Sequence, residues 1–165
     1  MKMRKKNERF LKSVDLLEVA GATKGATAFV YENLSRRELR DFADRVAEND
    51  PDAIEFATRF FERETKGTWH NRARAMLARR FKHCELNDSQ KRRVQSAIYR
   101  RLHTGEFFEH FKDQLRLALH FDRGETITEA AEASKRPVPH VIQYSRWILE
   151  HDDQTGEPGR AVHSE

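Results

Sequence analysis

Helix start and stop signals recur at short intervals along this chain, and they restrict its fold more than any other feature. Ser35-Arg-Arg-Glu38 has the form of a capping box. In that motif the serine oxygen accepts from a free backbone N–H and the glutamate reaches back to the cap. Asn49-Asp50-Pro51 ends one helix and starts the next. Asp50 suits the cap, and Pro51 suits the first helical position, where a missing N–H costs nothing. Asn87 with Gln90 makes a second box-like pair, and Gly67 and Gly105 stand at joints. No segment alternates polar and apolar residues over more than a few positions, so strands are not expected. The expected fold is all-α: an antiparallel array of about seven to eight short helices.

The apolar stripes place these helices. Asn7 to Ala20 reads as the first, and Gly21 to Thr27 as a joint. Gly21-Ala-Thr-Lys-Gly25-Ala-Thr superficially suggests a phosphate loop. It lacks the Gly-Lys-Ser/Thr ending and no strand precedes it, so it reads as a joint. Ala28 to Leu34 is ambiguous between a helical turn and a link. From Ser35 the stripe is Leu39, Phe42, Ala43 and Val46; from Pro51 it is Ala53, Ile54, Ala57, Phe60 and Phe61. A fourth helix is expected from Thr68 to about His83, and a fifth from Asn87. A sixth is expected from about Glu106 to Phe121, apolar over more than half its circumference. Thr126 to Ser134 and the segment from Pro139 to about Glu150 complete the set, with Arg123-Gly124 as a turn. This divides the chain into a basic N-terminal helix and joint (1–34), a helical-repeat domain (35–150) and an acidic tail (151–165), the last expected to be disordered.

With 165 residues the chain can bury a core without staples. Its 35% of charged residues is offset by eleven Phe, two Trp and three Tyr, which argues for folding. Cys84 is the single cysteine, so no internal disulfide can form. The opening Met1-Lys-Met-Arg-Lys-Lys could start a signal peptide, but Lys12, Asp15 and Glu18 interrupt the apolar stretch it would need. No run approaches the ~18 apolar residues of a membrane span. A cytoplasmic protein with no membrane partner is the expectation.

The net charge of +4 is unevenly spread. Lys66 to Arg101 holds eleven basic residues against Glu85 and Asp88, and the first twelve residues hold six against one acid. The remainder therefore carries ten surplus acids. A chain so divided can present a positive patch to polyanions. The candidate contacts are Arg72, Arg74, Arg79, Arg80, Lys82, Arg92, Arg93, Arg100 and Arg101. On the fourth helix Arg80 falls inside the apolar stripe of Trp69, Ala73, Met76 and Leu77, while Arg72 and Arg79 lie along its edge. A charge inside a stripe must be paired, snorkel, or line a groove. On the fifth, Val94, Ile98 and Leu102 form the stripe, with Arg93 and Arg100 together on the far side and Arg101 at the edge. If the two helices are neighbours, Arg72, Arg79, Arg93 and Arg100 share one surface. Arginine's planar fork suits phosphate. The alternative is that acids elsewhere in the chain, or in a second copy, neutralise these arginines.

Catalytic and metal chemistry lack a matching pattern. No two of the eight histidines lie three to five residues apart, and Cys84 has no partner cysteine. His83-Cys84 at a helix end would be reactive only as a thiolate, and a structural cysteine is the simpler reading. The acid pairs Glu62/Glu64, Glu129/Glu132 and Asp152/Asp153 fit polar faces or the tail. No catalytic residue, metal ligand or cofactor is assigned.

Two segments share a pattern. Asp50-Pro51 precedes inward Ile54, Ala57 and Phe61; Pro139 precedes inward Val141, Tyr144 and Ile148. Both resemble the turn and second helix of HEAT-like repeat proteins, and Pro51 and Pro139 lie two steps of 44 residues apart. The joint between them falls at Leu86–Asp88 rather than near 95. The resemblance covers Ser35 to Glu150. It implies an α-solenoid that binds protein or nucleic acid along an extended face; a small subset of such proteins excise DNA bases. Combined with the charge, the expected function is non-catalytic binding of nucleic acid or another polyanion. A protein-interaction scaffold or homo-oligomer is the alternative, and a base-excision enzyme a remote one.

Overall fold

The computed structural model describes residues 30–108 and 110–153. Among these it is all-helical. Seven helices follow a helical turn at 30–32: α1 (Arg36–Ala47), α2 (Pro51–Glu62), α3 (His70–Phe81), α4 (Asp88–Thr104), α5 (Phe111–Phe121), α6 (Arg123–Ala133) and α7 (Pro139–Asp153). The expected first helix, the glycine joint after it and most of the expected tail lie outside the described residues.

The caps form as the residue types require. Ser35 and Glu38 close both halves of the capping box on α1. Asp50 accepts from the N–H groups of Asp52 and Ala53 on α2, and Asn87 and Gln90 close a second box on α4. Gly105 ends α4 at φ +73°, where a Cβ would meet the His140 ring at 2.7 Å. That position needs glycine on both backbone and steric grounds.

Three boundaries differ from expectation. Helix α5 begins at Phe111, not near Glu106, because His110 takes φ +68° and breaks the helical path. Arg123-Gly124 is the first turn of α6 rather than a turn between helices. Asp122 caps it, accepting from the Glu125 N–H at 2.8 Å, and that bond outweighs the glycine's weak helix propensity. Helix α3 starts at His70, after a turn at 68–69.

Two series of neighbours make the architecture. The odd-numbered helices α1, α3 and α5 pack in order, α1 on α3 and α3 on α5, while α7 packs chiefly on α6 and meets α5 through side chains such as Tyr144 on Phe111. The even-numbered helices do the same, α2 on α4 and α4 on α6. Consecutive helices link the two series, but α3 and α4 make little contact with one another. The core lies between them. Tyr31, Phe42, Phe56, Phe60, Phe61, Phe81, Leu77, Ile98, Leu102, Phe111, Leu115 and Leu117 are all buried there. Phe42 stacks on Phe56 at 4.2 Å between ring centroids, and Phe61 meets Phe81 at 5.8 Å.

A candidate polyanion-binding face

The nine basic residues singled out from the sequence do not form one surface. The cause is the packing order. Since α3 and α4 are not packed neighbours, Arg72 and Arg79 do not join Arg93 and Arg100 on one surface. Each set faces a different partner helix.

The α4 set is held by acids. Glu55 and Glu62 lie seven residues apart on α2, and Arg93 and Arg100 seven apart on α4. Each pair occupies one helix face. Arg93 donates to Glu62 at 2.6 and 3.0 Å and to Glu55 at 2.9 Å. Arg100 donates to Glu64 at 2.8 Å and to the Glu62 carbonyl at 2.7 Å. Residue numbers rise together along this ladder, so α2 and α4 run in the same direction. The hydrogen bonds Arg93 donates to the Glu62 carboxylate raise its pKa further above the ordinary value. Burial pushes the Glu55 carboxyl up, but bonds from Gln90, Arg93 and Arg59 outweigh it and leave its pKa below the ordinary value.

Arg74 and Arg101 are not surface residues at all. They are 2% and 3% exposed. Arg101 donates to Glu64 at 2.9 Å, to Gln114 at 3.1 Å and to the Phe61 carbonyl. Arg74 donates to Thr65 Oγ1 and to the Arg63 carbonyl, both at 2.6 Å. Helix α3 buries a wider arc than its large apolar residues mark. Ala78 extends the buried arc past Phe81, and Arg74 falls between them. These two positions therefore tie joints to the core.

Arg80, expected inside the stripe, reaches out past it. It is 46% exposed and 3.7 Å from Asp44 of α1. Lys82 is half-buried beside Arg116, and burial together with that charge lowers its pKa. Arg92 is exposed on α4.

Arg72 and Arg79 belong to a different cluster. They line a groove of about 450 Å³ between α1 and α3, together with Arg36, Arg40, Leu39, Met76 and Trp69. The Arg36 guanidinium lies 3.9 Å from the Trp69 ring centroid and that of Arg72 lies 5.0 Å from it. All four arginines are exposed. Arg79 is bound to Asp113 of α5 at 3.0 Å. Arg36, Arg40 and Arg72 have no ion-pair partner among the described residues. Beyond Asp113 the arrangement repeats. Arg116 also reaches Asp113, at 3.3 Å, and Arg116 and Lys112 stand 5.5 and 5.4 Å from the Trp147 ring of α7. Cations of α1 and α3 thus surround Trp69, cations of α5 approach Trp147 of α7, and Asp113 joins the two groups through Arg79 and Arg116.

Arg36, Arg40, Lys112, Arg116 and both tryptophans were not selected from the sequence as contacts. Arg36 and Arg40 sit outside the segment of greatest charge density, and i,i+4 spacing on one helix does not reveal which neighbour it faces. Their signal was local: Arg36/Arg40 and Lys112/Arg116 are each basic pairs four apart.

Among the described residues, no three His, Cys, Asp or Glu side chains converge as a metal-holding group. No described helix is long and apolar enough to cross a membrane. Cys84 is half-buried, and burial raises its thiol pKa to about 11, which opposes thiolate chemistry. No family model, curated protein or solved structure matches this chain.

Proposed function

We propose that this protein binds nucleic acid through the outward face of α1, α3, α5 and α7, with the α1–α3 groove as its centre. One observation carries the reading. Arg36, Arg40 and Arg72 share one groove with Trp69 and have no ion-pair partner among the described residues, whereas Arg79, Arg93, Arg100 and Arg101 are each met by a carboxylate. Unpaired guanidinium groups are available to phosphate, and an indole among them offers a stacking surface to a base. Such a face tracks the backbone and selects sequence weakly. The packing of α1 on α3 and α3 on α5 beside α2 on α4 and α4 on α6, with α2 and α4 parallel, also favours a repeat-like array, and we read the chain as HEAT-like on that basis.

The test is fluorescence anisotropy of a labelled single-stranded oligonucleotide at rising salt. The parent should bind with log K falling linearly against log salt. The Arg36→Ala/Arg40→Ala/Arg72→Ala variant should lose affinity, and its salt slope should flatten by roughly 2 to 3. Equal slopes would overturn the reading. A triple variant that leaves oligonucleotide binding unchanged but abolishes self-association in light scattering would favour the interaction-scaffold alternative.

A further inference from the structure

A second cavity, of about 540 Å³, opens where the joint after α2, the start of α3, the end of α4 and helices α5 and α7 meet. It shares no lining residue with the groove around Trp69. Arg74 and Arg101 line it, and both are almost wholly buried. Burying a guanidinium is costly unless a carboxylate meets it. Glu64 and Glu106 also line the cavity, with Lys66, but neither carboxylate bonds to Arg74. Glu64 is the carboxylate that reaches Arg101, and it also serves Arg100. Arg74 has no carboxylate within hydrogen-bond distance among the described residues. Its donors go to Asn71, Thr65 and backbone carbonyls, and its Nε has no partner. Arg93 has two carboxylates by contrast. Burial and the neighbouring charge of Arg101 lower the Arg74 pKa to about 10, which still leaves it protonated at neutral pH.

The mouth of the same cavity is aromatic. Phe107 stacks on Phe111 at 4.2 Å and meets Tyr144 and His140 edge-on at 4.9 and 5.2 Å. Phe108 beside it is 69% exposed, the one large hydrophobic residue so exposed among the described residues. Small-molecule sites pair aromatic walls with a few placed polar groups, and this cavity sets Phe107, Phe108 and Tyr144 beside Arg74 and Arg101, though most of its lining is polar. The rim offers a ring surface, and the floor holds positive charge that the protein leaves only partly met.

We infer that this cavity binds a small aromatic oxyanion, a phosphate or carboxylate carried on a planar ring, with the anionic group at Arg74 and Arg101 and the ring against Phe108. The inference stands apart from the nucleic-acid reading, since the two sites share no residue. Titrations followed by NMR, using phenyl phosphate, benzoate and inorganic phosphate as separate probes, test it. Phenyl phosphate, benzoate or both should shift the His140 and Tyr144 ring signals to saturation, and comparing them tells which head group is preferred. Phe108→Ala, on an exposed side chain, should keep the parent circular dichroism. It should weaken the aryl anions about threefold to tenfold and leave inorganic phosphate unchanged. Arg74→Lys, which keeps charge but loses the fork, should weaken all three probes if it folds. The inference fails if neither aryl anion shifts His140 and Tyr144, if the shifts gather at Trp69 instead, or if Phe108→Ala binds the aryl anions as the parent does.

Discussion

Arg72 and Arg93 sit on helices of similar charge and meet opposite surroundings. Arg93 faces α2, whose Glu55 and Glu62 repeat at the same seven-residue interval, and both carboxylates close on it. Arg72 faces α1, which offers Arg36 and Arg40 across the groove. Charge density along the chain is nearly the same at the two places. The difference lies in the neighbouring helix, so one arginine serves the fold and the other is left to a partner. A basic run is therefore two kinds of feature until its packing is known.

The comparison can be broken at its buried end first. Arg101→Met should cost about 3 kcal/mol in chemical denaturation, because Gln114 and the Phe61 and Arg63 carbonyls lose a charged donor inside the protein. The folded fraction of that variant should still bind oligonucleotide as the parent does. A variant of parental stability would show that this network contributes nothing.

The middle case sets the two arginines side by side. Arg93→Ala should lower stability by about 1 kcal/mol and leave the salt slope of oligonucleotide binding alone. Arg72→Ala should hold stability within about 0.5 kcal/mol and flatten the slope by about 1. Interchanged outcomes would reverse the assignment of the two faces.

Acid should act on His70 of α3 and on the paired carboxylates. Burial pushes the Glu64 carboxyl up, but the charge of Arg101 and bonds from Arg100 and Arg101 outweigh it, and its pKa, like that of Glu55, lies below the ordinary 4.5. These carboxylates hold fewer protons folded than unfolded. Their stabilisation is complete above pH 4.5 and is lost as pH falls through the lower folded values. His70 acts in the same direction but sooner. Burial lowers its pKa below 6.5, so its share begins to fade as pH drops past that value. The melting temperature should thus decline gently below pH 6.5 and more steeply below 4.5. A Glu55→Gln/Glu64→Gln variant should flatten the steep part, leaving the share of Asp50. Burial raises the Asp50 pKa, but bonds from Arg45 and the backbone outweigh it, and the value also lies below the ordinary one. A parental profile would remove the two glutamates from the account.

The smallest effect expected is at Cys84. With its thiol raised to about 11, iodoacetamide at pH 8 should modify it more slowly than it modifies glutathione. Faster labelling would restore the reactive-thiolate reading.

Much of the fold was legible because it is written in local signals. Ser35/Glu38, Asp50-Pro51 and Asn87/Gln90 each form the cap their types call for, within four residues of chain. The misplaced boundaries were those where one cue competed with another. Gly124 suggested a turn, but Asp122 supplied a cap and the helix absorbed the glycine. Phe107 and Phe108 continued an apolar run, but His110 broke the helix and left them at the mouth of a cavity. The site was less legible. The charge pattern points to Arg72 and Arg79 together, and they line one groove; it points equally to Arg74 and Arg101, which are core residues. Their helices bury arcs wider than the apolar stripe because the neighbours supply carbonyls, hydroxyls and a carboxylate, and no intrahelical pattern announces those partners.

By itself the sequence determined that the chain is helical, where most helices begin, and that its positive charge is concentrated in the middle. All three follow from propensity, capping and composition, which act within a few residues. Tertiary structure decided what that charge is for. Helix α4 lies along the acids of α2 while α3 lies along the arginines of α1. Whether an arginine is neutralised depends on side chains more than thirty residues away, brought to within 3 Å only by packing.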